Sequence, residues 1–266
     1  MESKIGGILK FKYTPVALLW SDDKPEGAFQ FKEGAWGCVM WLFTNAARGR
    51  TAVVDRNTFG CLGGGTGLGF GNQYVNWQGG VEAFCRFLST GSAHLGTKRE
   101  DIDSSRQGFI DNVLHGERYI KSPELVKKFL EVMPFMDVPA KYVVFKPLEA
   151  VNPDQETPVV VIFLANPDQL AALVVLANYA RESTESVIIP FGAGCQSIGI
   201  FPYREARLEN PRAVIGLVDM SARQTVRKQI GKDLMTFAVP YRMFQEMEAN
   251  VEESFLGKEE WQKFFE

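Results

Sequence analysis

Histidine is nearly missing from this chain, with only His94 and His115 among 266 residues. Both sit in polar stretches far from the cysteines in sequence, so each reads as a surface or hydrogen-bonding residue and not as a metal ligand. The paired ligands of a structural zinc site are absent too, since there is no Cys-x-x-Cys and no Cys and His pair at finger spacing. No Gly-x-Gly-x-x-Gly follows a strand, no Gly-Lys-Ser or Gly-Lys-Thr closes a glycine loop, and no Gly-x-Ser-x-Gly occurs. Dinucleotide, P-loop and serine-hydrolase sites are therefore not expected. The net charge of -3 and the lack of any basic run argue against nucleic acid as a partner. The apolar runs are too short to span a bilayer and the first residues lack a signal core, so the expectation is a cytoplasmic chain without a membrane partner.

What the chain has instead is glycine around thiols. Cys61 opens Cys61-Leu-Gly-Gly-Gly-Thr-Gly-Leu-Gly-Phe-Gly71, with six glycines in eleven residues. Cys195 lies in Pro190-Phe-Gly-Ala-Gly-Cys-Gln-Ser-Ile-Gly199, and Cys38 follows Gly34-Ala-Trp-Gly37. Glycine lets main chain come close to a bound group and take up positive φ. The fourth cysteine, Cys85, falls on the apolar face of a short helix and reads as core. Four irregularly spaced cysteines in a chain of this length do not form a secreted disulfide framework.

The pattern of elements predicts a mixed α/β protein, one compact domain over 1–266 with helices flanking a mixed sheet and a hinge near residues 134 to 140. Strands are expected at Thr14 to Trp20, Lys141 to Leu148, Pro158 to Ala165, Ser186 to Pro190 and Ala213 to Val218. Helices are expected from Ala35 to Arg48, Val81 to Leu88, Pro123 to Met133 behind Ser122, and Asn166 to about Arg181. Further helices are expected from about Gln196, from near Ser221, and along the amphipathic tail Tyr241 to Glu266. The acidic run Glu246 to Glu253 reads as a solvated face. The tail carries enough apolar surface to dock on its own domain or on a second subunit, making a homo-oligomer an open expectation.

Cys38 and Cys195 fall at helix starts, where backbone N–H groups favour a thiolate, and Cys61 lies on the glycine loop, whose N–H groups could hydrogen-bond sulfide or an anion. Three thiolates suit an iron-sulfur cluster with one position left for another ligand or substrate, Cys85, Asp219 or a small molecule being the candidates. In this reading Cys38, Cys61 and Cys195 are metal ligands and Gly63, Gly64, Gly65, Gly67 and Gly194 line the cofactor. The protein would then be redox-active, with a redox partner, or a cluster-dependent enzyme. The rival reading is a metal-free module in which the glycine loop grips a small anion, Arg48, Arg56 or Arg204 balances its charge, and one cysteine attacks it. The glycine loop also reads as a tight crossing of main chain. Trp20, Trp36, Trp41 and Trp77, with Phe59, Phe70 and Tyr74, could wall a pocket, although core packing explains aromatics as well.

The Cys38 helix, the Cys61-Leu-Gly-Gly-Gly loop, the Asn166-Pro-Asp-Gln-Leu helix start and the Gly-Ala-Gly-Cys195 segment together resemble an uncharacterised archaeal and bacterial family, domain of unknown function one-six-nine. The resemblance spans most of the chain and implies the fold and the candidate cysteines, with no activity to carry over. Many members have a further cysteine where this chain has Val218-Asp219-Met220, so the resemblance implies an open position or an Asp219 oxygen there.

Overall fold

The computed structural model describes residues 1–102 and 109–266. By density of packing these fall into two compact units, one of residues 1–71 and 136–266 and one of residues 72–135. The second boundary lies inside the 134 to 140 stretch.

The first unit is built on a seven-stranded sheet in the order β2-β3-β1-β4-β7-β6-β5. Its strands are β1 (Val16–Ser21), β2 (Ala52–Val54), β3 (Tyr142–Pro147), β4 (Val160–Ala165), β5 (Val187–Ile188), β6 (Ala213–Gly216) and β7 (Met235–Pro240). All neighbours run antiparallel except β5 and β6. β1 and β4 are buried on both faces, which is why they read as continuous apolar runs without polar alternation. The mixed α/β class follows directly. β2 and β7 carry no strong strand signal of their own, since Ala52–Val54 is three residues long and Met235–Pro240 is interrupted by Thr236.

Helices cover both faces. Helix α1 (Lys4–Leu9) was not apparent in the sequence, because Gly6 and Gly7 weaken its propensity. α2 spans Val39–Ala47, α3 Leu62–Gly67, α4 Gly80–Leu88, α5 Ile110–His115 and α6 Pro123–Glu131. α7 spans Pro167–Asn178, α8 Gly194–Ile198, α9 Ile200–Ala206, α10 Met220–Ile230, α11 Tyr241–Asn250 and α12 Glu259–Phe264. One face of the sheet, through Leu19, Val161, Phe163 and Phe237, packs on α1, α7 and α11. The other carries α2, α8 and α9, with Phe43 of α2 edge-on to Phe145 of β3 at 6.2 Å.

Phe163 shows what this core is worth. It is fully buried, 5.0 Å from Phe11 and 6.2 Å from Phe244. Phe163→Ala is expected to lower unfolding free energy in urea by about 3–5 kcal/mol; a loss under about 1 kcal/mol would mean that the sheet face repacks around the gap.

Several sequence expectations change. The tail is not one helix: α11 ends at Asn250, a 3-10 turn at Phe255–Gly257 follows, and α12 closes the chain. The acidic run is not simply solvated, since Glu246 accepts from Arg181 Nε at 2.8 Å, Glu248 from Lys4 N at 2.8 Å, and Glu252 pairs with Lys4 at 2.6 Å. α7 stops at Asn178, short of Arg181, but its start holds: Asn166 accepts from Gln169 N and Gln169 returns the bond, a capping box ahead of Pro167.

The second unit is a small helical cluster around stacked aromatics. Tyr74 and Phe84 lie 3.9 Å apart and nearly parallel, and Trp77, Phe87, Val126 and Leu130 complete the packing. Cys85 is buried in that core, as its helix face foretold. Tyr74 and Trp77 thus belong to the core of this unit, while in the first unit Trp20 packs edge-on to Tyr203 at 5.1 Å. His115 stands 4.0 Å from Asp111 on α5, and His94 is exposed.

Candidate functional site

The glycine segment after Cys61 is not a loop but the short helix α3, Leu62–Gly67. Six residues with four glycines do not form a helix by propensity, so packing holds it. α3 lies against α8, and the glycines are what allow the approach. A Cβ on Gly67 would stand 2.7 Å from Cys195 Sγ, one on Gly199 2.0 Å from the Gly67 carbonyl oxygen, and one on Gly64 2.7 Å from the Phe59 carbonyl oxygen. The tight-crossing reading of this segment therefore has a concrete form.

That crossing brings four helix starts together. Cys38 is the N-cap of α2, which starts at Val39, four residues after the expected start at Ala35, so Cys38 precedes the first turn. Cys61 is the N-cap of α3 and its Sγ accepts from Gly64 N at 3.2 Å. Cys195 is the second residue of α8, and Asp219 is the N-cap of α10. Asp219 ties two of these elements: Oδ1 accepts from Ala222 N at 2.8 Å in its own helix, and Oδ2 accepts from Gly194 N at 2.7 Å in α8. A Cβ on Gly194 would be 2.9 Å from Ala222 Cβ and 3.4 Å from Met40 Cγ, so α8, α10 and α2 also meet at van der Waals distance.

The turn that delivers Asp219 is strained. Leu217, buried and bulky, has φ 61°, a left-handed conformation that costs a non-glycine residue of order 1–3 kcal/mol. Arg223 holds it there, donating from Nη1 to the carbonyls of Leu217 and Leu234, each at 3.2 Å.

The three thiols act on one another. Burial is the largest influence on each and pushes all three up, Cys38 to about 12; the Cys61 charge raises Cys38 further, and the charges of Cys61, Cys38 and Asp219 raise Cys195 further. The amides of Met40 and Trp41 oppose this at Cys38, and those of Gly64 and Gly63 at Cys61, but they do not outweigh desolvation. The expectation that helix starts would lower these thiols is therefore overturned, and each rests as a neutral S–H at pH 7. Asp219 is itself raised by burial. Cys38 and Cys61 are half-buried as residues and Cys195 is buried.

One peptide group serves two sulfurs. Cys195 Sγ donates to the Gly63 carbonyl oxygen at 3.0 Å, while the N–H on the other side of the same peptide unit, that of Gly64, donates to Cys61 Sγ. Among the described residues no group of three or more His, Cys, Asp or Glu is positioned to hold a metal ion.

Of the glycines named from sequence, Gly63 and Gly64 meet sulfur through their backbone, Gly67 and Gly194 are places of close approach, and Gly65 is buried within α3. Of the arginines of the anion reading, Arg56 pairs with Asp137 at 2.8 Å and Arg204 with the buried Glu205 at 2.9 Å, while Arg48 is an exposed residue at the far end of α2. Leu217 and Arg223 carry no sequence motif and were not foreseen.

Fold and site together define an α/β protein in which a three-layer arrangement presents three cysteines and an aspartate at four converging helix starts. The chain belongs to the family called domain of unknown function 169, described as Uncharacterised ArCR, whose model matches residues 4–250. No curated protein and no solved structure matches it. Among the described residues no helix is long and apolar enough to cross a membrane.

Proposed function

We propose that this protein binds an iron-sulfur cluster on Cys38, Cys61 and Cys195, leaves one coordination position open, and works as a redox protein or a cluster-dependent enzyme. The observation that carries this reading is the convergence of three mutually interacting thiols with amide N–H groups directed at two of them. Soft sulfur donors with N–H donors around them are what such clusters require. One ion holds its thiolates at about 2.3 Å, and among the described residues no group of three or more His, Cys, Asp or Glu is placed to hold an ion. A cluster spreads its ligands over several irons. All three thiols would have to lose their protons to hold it, and Cys195 would also give up its hydrogen bond to Gly63, because a thiolate has no proton to donate there.

The metal-free reading is weaker on the same grounds. A thiol raised to about 12 has a negligible thiolate fraction at pH 7 and is a poor nucleophile. The charge effects on the three thiols come from one another and from Asp219, which does not favour an anion beside them.

Anaerobic purification with iron and acid-labile sulfide analysis tests the proposal. Iron with sulfide in the native protein, and its loss in Cys61→Ser, is the expected result. A colourless, metal-free protein after reconstitution with ferrous iron and sulfide would sink it. Because the ligands rest protonated, uptake should release protons and proceed faster at pH 8.5 than at pH 6.5.

A further inference from the structure

A groove of about 630 Å³ runs along α1, on the face of the sheet opposite α2 and α8. One stripe of that helix lines it, Ser3, Gly6, Gly7 and Lys10, at the i, i+3, i+4 and i+7 positions. Tyr13, Pro15 and Leu148 add apolar surface to the same groove. The lining is held in place from several sides. Tyr13 Oη donates to the Gln229 carbonyl at 2.9 Å, Leu148 N to the Pro15 carbonyl at 2.8 Å, and Met1 N to the carbonyls of Glu149 at 3.3 Å and Val151 at 2.8 Å. A volume of this size with a fixed, mostly apolar lining is that of a small-ligand site.

Packing within the chain does not require glycine at position 7. Its φ is not left-handed and nothing stands within 4 Å of its would-be Cβ, although glycine weakens a helix more than any residue but proline. What glycine does there is leave main chain bare along the groove, where a ligand can approach it closely.

Charge is divided along the groove. Lys10 stands at the C-terminal end of α1 and Glu149 at the other end, where its carbonyl holds Met1 N; both line the groove. At 1.5 Å of rise per residue, Ser3 and Lys10 are about 10 Å apart along the helix axis. Among the described residues neither the Lys10 ammonium nor the Glu149 carboxylate has an ion-pair partner. An extended peptide covers about 3.3–3.6 Å per residue, so about three residues bridge two such charges.

We propose that this groove binds a short peptide of about three residues with free ends. Its main chain lies on the bare backbone at Gly7, an apolar central side chain rests on Tyr13, Pro15 and Leu148, its carboxylate faces Lys10 and its ammonium faces Glu149. The site is separate from the thiols and does not depend on a cluster.

Ligand-observed NMR titration of the purified protein with glycyl-phenylalanyl-glycine tests this, against the same peptide acetylated at its amine or amidated at its carboxyl. The free peptide is expected to bind saturably and at least about threefold more tightly than either blocked form, a ratio in keeping with exposed ion pairs. Gly7→Leu should abolish binding by filling the groove, with circular dichroism and the urea midpoint retained. Lys10→Gln should lower affinity for the free peptide to that of the amide and leave the amide unaffected. No saturable binding, equal affinity for the three peptides, binding that survives Gly7→Leu, or a preference unchanged by Lys10→Gln would overturn the proposal. A dimer in sedimentation that Gly7→Leu dissociates would do so too, by giving the groove to a second copy. The cluster reading is judged apart from this, since the peptide should bind alike with iron and sulfide loaded or absent.

Discussion

Gly199→Ala is expected to be among the most damaging substitutions in the chain. The added Cβ would lie 2.0 Å from the Gly67 carbonyl oxygen and 3.0 Å from its carbon, and also 3.1 Å from the Cys195 carbonyl oxygen. These are backbone atoms, so no side-chain rotation relieves the clash, and α3 and α8 have to separate. Overpacking of this kind costs about 1–3 kcal/mol or more. The larger consequence is chemical, because the same crossing holds Cys61, Cys195 and the peptide between Gly63 and Gly64 in register. The expected result is a lower midpoint in urea together with loss of iron uptake. Gly7→Ala serves as the control, since nothing stands within 4 Å of its would-be Cβ. A Gly199→Ala protein as stable as the Gly7 control would show that α3 does not depend on this contact.

The second large effect is alkaline. Cys38 is raised from an ordinary value near 9 to about 12 by burial first and by the Cys61 charge next, and Cys61 and Cys195 are raised as well. With the folded-state value above the unfolded one, the stability tied to the neutral thiol is full below about pH 8.5. It is lost as pH climbs toward 12, where the folded thiol also ionises. Within that window Cys38 should lower unfolding free energy by about 1.4 kcal/mol per pH unit. Urea titrations of metal-free, reduced protein at pH 8 and pH 10 measure it, and Cys38→Ala should flatten the slope by about one thiol's share. A slope the same in Cys38→Ala as in the native protein would mean that Cys38 ionises in the folded state as freely as in the unfolded one. The sign is opposite for metal uptake, which high pH favours, so the metal-free protein is least stable where its proposed ligands are most ready to bind.

The sequence revealed some of this plainly and some of it not at all. Ser122 with Pro123, and Asn166 with Pro167 and Gln169, mark helix starts by local chemistry, and both caps form as read. β1, β3 and β4 stood out because apolar runs in buried strands need no context. The short helix α3 was illegible for the opposite reason: Leu-Gly-Gly-Gly-Thr-Gly has no helical propensity, and only its neighbour α8 makes it one. The cysteines were noticed through their glycines, of which Gly67 and Gly194 are places of close approach between helices. Their elevated thiols could not be read, because desolvation depends on what surrounds the sulfur in three dimensions and not on the helix start beside it.

The places from which the site is drawn also bear on how it is made. Its side chains come from positions 38, 61, 195 and 219, so the first two thiols leave the ribosome long before the others exist. No nascent fragment short of residue 219 has the four helix starts, and one short of residue 195 has only two of the site's sulfurs. Under the cluster proposal, loading would therefore follow folding of the chain at least through residue 219.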